Sequence, residues 1–183
     1  GACDPSCDPL GPDNVFVLAP GLLAGTSAPT SGRMSVGGKS PLTGGIKEAN
    51  AGGNPAQDLM KLGLRAVIVK GQPADPDRRY AVEIDDSGAR IVAADENKSK
   101  WNYTLIDDLK KADSKTSSFV SIGRAGEMRL SGASVACTDQ EQDRHPARHA
   151  GRGGLGAVMG SKGLKFFAVD AAKLPARKPA DAK

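Results

Sequence analysis

Apolar residues occur along this chain in short runs separated by turn-forming residues. Four runs are continuous enough to predict buried β-strands: Val15–Leu18, Ala66–Val69, Ser118–Ile122 and Phe166–Val169. Residues 80–84 and 89–93 predict two further strands. The intervening Asp85-Asp86-Ser87-Gly88 suits a tight turn, so these two strands are expected to form a hairpin.

Helical patterns are fewer and short. One helix is predicted from Asn54, a candidate N-cap followed by a proline, to Gly63. A second is predicted from Thr104 to about Asp113, and a third from near Gly153 to Gly160. Because turns rather than long helices separate most of the strands, the pattern favours an α+β fold over a regular βαβ array.

Composition narrows the class of protein. The chain has 183 residues, which is enough for one ordinary domain, or two small ones, with a hydrophobic core, and it contains 23 glycines and 12 prolines. That content excludes a coiled coil, and the absence of a three-residue glycine period excludes collagen. No apolar stretch approaches the roughly 20 residues of a membrane span, and the N-terminus lacks a signal-peptide pattern. We therefore expect a soluble, cytoplasmic protein.

The three cysteines are a poor disulfide framework because their number is odd. Cys3 and Cys7 could in principle share a metal, but no second ligand pair follows, so a flexible or cut N-terminus is the favoured interpretation. Cys137 lies in an apolar stretch and is expected to pack in the core.

Positive charge is concentrated at the C-terminal end. Residues 139–183 carry nine Lys and Arg against five acids. Such a segment suits nucleic acid, a membrane surface or a phosphorylated small ligand. Few aromatic residues are available there for base stacking, so nucleic-acid binding is the weaker hypothesis.

Three glycine-rich segments carry the candidate chemistry. Residues 24–33 are small or hydroxylated and end on Arg33; residues 41–54 contain Asn50, Ala51, Gly52 and Gly53; residues 148–162 contain Arg148, His149, Ala150, Gly151, Arg152, Gly153 and Gly154. Bare backbone N–H groups and arginine forks suit a phosphate or diphosphate. A solvated surface loop explains the first segment, and a tight turn into a helix explains the second, without any ligand.

The spacing of Gly151, Gly153 and Gly156 matches G-x-G-x-x-G, but the preceding residues are polar and contain a proline. A dinucleotide fingerprint must follow a buried strand, so a Rossmann site is not expected, and no P-loop sequence occurs. His145 and His149 flank this proline and lack a third metal ligand nearby.

Six blocks in register resemble the N-terminal domain of the tungsten-containing aldehyde ferredoxin oxidoreductases. They are residues 8–14, 25–33, 39–44, 49–53, 123–127 and 150–162, the last reading Ala-Gly-Arg-Gly-Gly-Leu-Gly-Ala-Val-Met-Gly-Ser-Lys. The resemblance implies a base of two β-sheets that seats a tungsten bis-pterin (molybdopterin) cofactor.

The resemblance also implies a set of site residues. Arg33 and Arg148 would contact the pterin phosphates, and Asn50 and His149 would coordinate magnesium through backbone carbonyls. Ala51, Gly52, Gly53, Ala150, Gly151, Arg152, Gly153 and Gly154 would complete the cofactor-binding set. No catalytic residue is expected in this chain.

The chain departs from the family pattern in several segments, and these departures determine the predicted domain bounds and partners. Residues 1–7 are predicted to be an atypical N-terminal extension, 8–172 the pterin-binding domain and 173–183 a linker or tail. Arg124 stands where the family usually has proline. The acid/base residues and the 4Fe-4S cysteines of the family belong to helical domains that are not in this chain.

The resulting hypothesis is a cofactor-seating domain or subunit of an aldehyde oxidoreductase, inactive alone. Its partners would be a catalytic chain or C-terminal domains, ferredoxin or an electron-transfer subunit, and an aldehyde, with no nucleic-acid or membrane partner. The metal would be tungsten or molybdenum. The alternative is a non-catalytic structural or assembly module that keeps the fold without the cofactor.

Overall fold

The predicted strands form in the computed structural model, which describes residues 4–112 and 117–178. Ten strands lie in these ranges: β1 (Phe16–Pro20), β2 (Met34–Lys39), β3 (Ile46–Ala51), β4 (Val67–Val69), β5 (Tyr80–Asp85), β6 (Gly88–Ala93), β7 (Ser118–Ser121), β8 (Val135–Asp139), β9 (His145–Ala150) and β10 (Leu164–Val169). The helices of the same ranges are α1 (Asn54–Lys61), α2 (Asn102–Ala112), α3 (Arg124–Glu127) and α4 (Leu155–Ser161).

The strands build two sheets, which confirms the expectation drawn from the family resemblance. A four-stranded antiparallel sheet has the order β3-β2-β1-β4, and a six-stranded sheet has the order β6-β5-β10-β7-β8-β9. In the second sheet β10 runs parallel to β5 and antiparallel to β7. The outermost strands that matter for the site are β3 in the first sheet and β9 in the second.

The main core lies where the two sheets face each other. Phe16 of β1 stacks on Phe167 of β10 with ring centroids 6.1 Å apart. Helices α1 and α4 add Leu59, Val158 and other fully buried side chains to the same cluster. A smaller cluster forms on the other face of the six-stranded sheet, where α2 packs through Leu105 and Ile106. Burial of these side chains fixes the spacing of the sheets.

Four of the ten strands in the described ranges lie outside the six that the apolar runs and the hairpin pattern predict: β2, β3, β8 and β9. β3 and β9 fall in segments whose glycine, proline and polar content suggested loops. A strand does precede Gly151, but β9 is an edge strand with exposed and half-buried positions, not the buried strand that a dinucleotide fingerprint follows. The exclusion of a Rossmann site stands, since β9 pairs antiparallel with β8 and β10 is not its neighbour in the sheet.

Helix starts also differ from prediction. The N-cap of α1 is Gly53 rather than Asn54, whose side chain instead bonds to Gln140. Helix α2 begins at Asn102, so Thr104 lies inside its first turn. The predicted end of α2 at Asp113 lies outside the described residues.

The first part of the predicted tail contacts the domain. The Arg177 N–H donates to the Gly25 carbonyl at 2.6 Å, and Arg177 pairs in parallel with Thr26. Residues 179–183 lie outside the described residues, and the domain boundaries remain a prediction. Within the described ranges, helices are all too short or too polar to traverse a bilayer.

Candidate functional site

The candidate site lies between the edges of the two sheets. Strand β3 ends the four-stranded sheet, β9 ends the six-stranded sheet, and the two strands run close to each other. A cleft of about 760 Å³ opens beside them. Its lining residues come from both sheets and from the connections that follow them: Thr30, Gly32, Arg33, Gly52, Gly53, Asn54, Gln57, Asp139, Gln140, Glu141 and Arg148.

Two arginines predicted from separate glycine-rich segments meet in this cleft. Arg33 immediately precedes β2, and Arg148 lies in β9. A Cβ placed on Gly52 would lie 3.7 Å from Nη1 of Arg33 and 3.9 Å from Cδ of Arg148. Both side chains therefore flank the same bare stretch of backbone. Within residues 4–112 and 117–178, Arg33 forms no ion pair.

Arg148 is held by Asp139. Its Nε donates to Oδ2 of Asp139 at 2.5 Å, and the Asp139 side chain is 10% exposed. This hydrogen bond, with the negative charge behind it, raises the pKa of Arg148 above its ordinary value, so the guanidinium is always charged. The second Asp139 oxygen, Oδ1, accepts from the Glu141 N–H at 3.2 Å.

Gly53 joins the two sheets at the floor of the cleft. Its φ is +106°, a conformation that side chains rarely adopt, and a Cβ there would overlap the carbonyl oxygen of Thr138 at the end of β8. Asn54 continues the contact, because its side chain donates to Oε1 of Gln140 at 3.0 Å and accepts from the Gln140 N–H. The close approach of the sheets here depends on glycine.

Asn50 and His149, the predicted carbonyl ligands, lie on the two edge strands. Both residues are exposed; Asn50 pairs with Ser35 of β2, and His149 with Ala136 of β8. An edge strand leaves backbone groups unpaired on its outer side. The His149 imidazole forms a 3.0 Å hydrogen bond between Nδ1 and Oγ of Ser134.

The remaining predicted residues divide into exposed and buried positions. Gly151 and Arg152 are exposed, and a Cβ on Gly151 would meet open space. Gly153 and Gly154 are buried with φ of +73° and +66°. A Cβ on Gly153 would overlap Lys47, and one on Gly154 would overlap the carbonyl oxygen of Ser131. Packing alone therefore requires these two glycines.

Ala51 and Ala150 are buried in the main core, so only their backbone is available to a ligand. None of the residues from Ala150 to Gly154 lines the cleft described above. The structure thus brings Arg33, Gly52, Gly53 and Arg148 together, and places the Gly151–Gly154 loop at the end of β9, outside the cleft.

Sequence reasoning did not identify Asp139, Gln140 or Glu141 as site residues. They follow the apolar stretch that becomes β8, and only the pairing of β8 with β9 brings them beside Arg148. The one available signal was the acidic residue at the end of a strand-like run. Among the described residues, His, Cys, Asp and Glu side chains form no group of three or more that could hold a metal ion.

Comparisons with known proteins identify relatives of this chain. A sequence model of the aldehyde ferredoxin oxidoreductase N-terminal domain matches residues 2–171. The chain is 42% identical over 174 residues to the tungsten-containing aldehyde ferredoxin oxidoreductase of Pyrococcus furiosus, covering 93% of this chain and 27% of that protein. The tungsten-containing aldehyde ferredoxin oxidoreductase of Thermococcus kodakarensis is 41% identical over 177 residues, which cover 93% of this chain and 27% of that protein.

A solved structure shares the fold. The active-site complex BamBC of benzoyl coenzyme A reductase, in complex with 1,5-dienoyl-CoA, matches with a TM-score of 0.83 and 30% identity, over 94% of this chain and 25% of that chain. The chain thus spans about a quarter of the length of these relatives. Fold and comparisons together define the class: a domain equivalent to the N-terminal domain of these relatives. The chain belongs to the aldehyde ferredoxin oxidoreductase N-terminal domain family.

Proposed function

We propose that this chain seats a tungsten bis-pterin cofactor as one domain or subunit of an aldehyde oxidoreductase. The enzyme would convert an aldehyde to a carboxylic acid and pass electrons to ferredoxin through a 4Fe-4S cluster held by polypeptide outside this chain. The observation that carries the proposal is the convergence of Arg33 and Arg148 on Gly52, between the edges of two sheets. When bound, the tungsten centre supplies the two-electron redox chemistry.

The two guanidinium groups fit the phosphates of a pterin. Arginine offers planar pairs of N–H donors that match phosphate oxygens. Gly52 places no side chain between the two arginines, so a phosphate can approach the backbone there. Arg33 forms no ion pair among the described residues, which leaves its full charge available to an anion.

A magnesium ion would lie against the edge strands. Magnesium prefers oxygen ligands, and the unpaired outer side of an edge strand offers carbonyl oxygens. Asn50 of β3 and His149 of β9 lie on two such strands that run close together. In this role His149 uses its main chain, and its imidazole stays bonded to Ser134.

The Gly151–Gly154 loop and Arg152 would complete the seat. The exposed Arg152 can reach ligand beyond the cleft, whereas the buried Gly153 and Gly154 set the path of the backbone. Ala51 and Ala150 contribute backbone only, since their side chains are in the core. Cluster ligands and proton-handling groups would come from the rest of the enzyme, so the isolated chain is expected to be inactive.

The test is the cofactor content of the enzyme that carries this chain. Arg33→Ala and Arg148→Ala are each expected to lower tungsten and pterin per protein by about tenfold, the effect of losing a charge-assisted contact. Arg65→Ala is the matched control, because Arg65 is exposed and outside the cleft. Metal is measured by mass spectrometry and pterin by fluorescence after oxidation.

Two outcomes would contradict the proposal. Unchanged metal and pterin in both cleft variants would remove the assigned phosphate contacts. A wild-type enzyme that contains neither tungsten nor molybdenum would favour a non-catalytic module that has kept only the fold.

A further inference from the structure

A carboxylate stands inside the cleft that is proposed to bind phosphate. Asp139 and Glu141 line it together with Arg33 and Arg148, so the four formal charges cancel. A negative side chain opposes the binding of an anion through space. The presence of Asp139 against Arg148 therefore calls for an explanation other than charge attraction to the ligand.

The geometry of the pair supplies that explanation. Of the Arg148 nitrogens, only Nε donates to the Asp139 carboxylate, with 2.5 Å between Nε and Oδ2. The other carboxylate oxygen, Oδ1, accepts from the Glu141 N–H. A guanidinium has five N–H donors in a rigid plane, so fixing Nε fixes the direction of the two terminal nitrogens. Those nitrogens form no ion pair with another side chain of the described ranges.

The strand pairing explains why the two residues meet. Arg148 pairs with Cys137, and Asp139, two residues along β8, points to the same face of the sheet. The register is irregular between Cys137 and Asp139, where β9 carries one residue more than β8. Such a bulge bends the strand and redirects side chains. Asp139 is 10% exposed, whereas Arg148 is 49% exposed, so the carboxylate is the fixed partner.

We infer that Asp139 is a positioning residue: it turns Arg148 so that both terminal nitrogens face the cleft and grip one phosphate of the ligand as a two-donor fork. This inference rests on the proposed function. It assigns Asp139 an effect through Arg148 and not through contact with the ligand.

The experiment measures how fast the loaded enzyme releases its cofactor. Enzyme carrying this chain is diluted into cofactor-free buffer, and the half-life of pterin release is followed by fluorescence. Asp139→Ala is expected to shorten the half-life by about tenfold, because Arg148 loses its orientation. Asp139→Asn keeps one acceptor for Nε and should fall between Asp139→Ala and wild type.

A double variant separates positioning from a merely structural effect. If Asp139 acts through Arg148, then Asp139→Ala adds no loss in an Arg148→Ala background. Additive losses in the double variant would instead mean that Asp139 supports the 3-10 turn at Gln140–Gln142, and the inference would be wrong. Thermal unfolding of each variant confirms that it is folded.

Asp86→Ala is the matched control, since Asp86 is an exposed carboxylate that does not line the cleft. Its half-life should stay within about twofold of wild type. A longer half-life in Asp139→Ala would show that the carboxylate only repels the ligand, and would overturn the inference. If Arg148→Ala itself releases cofactor at the wild-type rate, the phosphate site of the proposed function fails instead.

Discussion

The ammonium of Lys165 donates to the carboxylate of Glu127 in the interior of the domain, where the two side chains are 0% and 6% exposed. Lys165 also donates to the Lys100 carbonyl at 2.8 Å, and Glu127 accepts from the Ser99 N–H at 2.9 Å. The pair therefore ties β10 to α3 and to the segment before α2, with hydrogen bonds to the backbone at both ends.

Glu127→Ala is expected to lower the free energy of unfolding by about 3–5 kcal/mol, because it leaves a buried ammonium without its counter-charge. Asp77→Ala is the control, because it breaks an exposed ion pair in which the Lys98 side chain is 43% exposed and the Asp77 side chain 86%. It should change the free energy of unfolding by less than about 1 kcal/mol. Urea unfolding measures both. Equal losses in the two variants would contradict the prediction.

The same lysine predicts how stability depends on pH. Burial lowers the pKa of Lys165 below its ordinary value of 10.5, and the contact with Glu127 opposes this. Between the lowered pKa and 10.5, the unfolded chain holds a proton that the folded chain has released, so stability gains from rising pH in this window. The unfolding free energy of wild type minus that of Lys165→Met should therefore rise as pH increases toward 10.5. If the difference between the two unfolding free energies falls as pH rises toward 10.5, the prediction is wrong.

Cys137 is predicted to be chemically inert in the folded protein. Burial raises the pKa of its thiol to about 12, and the thiolate is the reactive form. Iodoacetamide at mildly alkaline pH should leave Cys137 unmodified until denaturant is added, whereas the half-buried Cys7 reacts in the native state. Peptide mass mapping distinguishes the two sites, and native labelling of Cys137 as fast as Cys7 would count against the prediction.

Gly160→Ala is expected to destabilise the domain even though alanine favours helices. A Cβ on Gly160 would overlap the carbonyl oxygen of Gly126, where α4 packs on α3. Overpacking of this kind costs about 1–3 kcal/mol. Gly132→Ala is the control, because a Cβ there meets nothing within 4 Å. A thermal midpoint for Gly160→Ala at or above that of wild type would disprove the packing argument.

Strands with an apolar run and the β5–β6 hairpin were predictable from the sequence, whereas the edge strands β3 and β9 were not. Residues 166–169 are continuously apolar because β10 lies inside its sheet with strands on both sides. β3 alternates between exposed and buried positions only in its second half, and β9 contains Pro146. Proline is tolerated at a sheet edge, where one row of N–H groups needs no strand partner.

The same distinction applies to the site. Arg33 and Arg148 were singled out as candidates because each is a cation beside bare backbone, a local property of the sequence. Asp139 was not, because its contact with Arg148 depends on the register and bulge between β8 and β9. Gly153 and Gly154 were predicted as ligand-approach positions, whereas Lys47 and Ser131 show that packing already demands glycine there.

The contact between Gly53 and the Thr138 carbonyl has a consequence for ligand selection. It fixes the distance between the two sheets at the cleft by backbone atoms alone, with no side chain that could move to another rotamer. A ligand that needs a wider opening can be admitted only by shifting whole strands against the shared core. Substituting side chains that line the cleft would therefore change how strongly a ligand binds. The size of the ligand that fits is set by the backbone, which such substitutions leave in place.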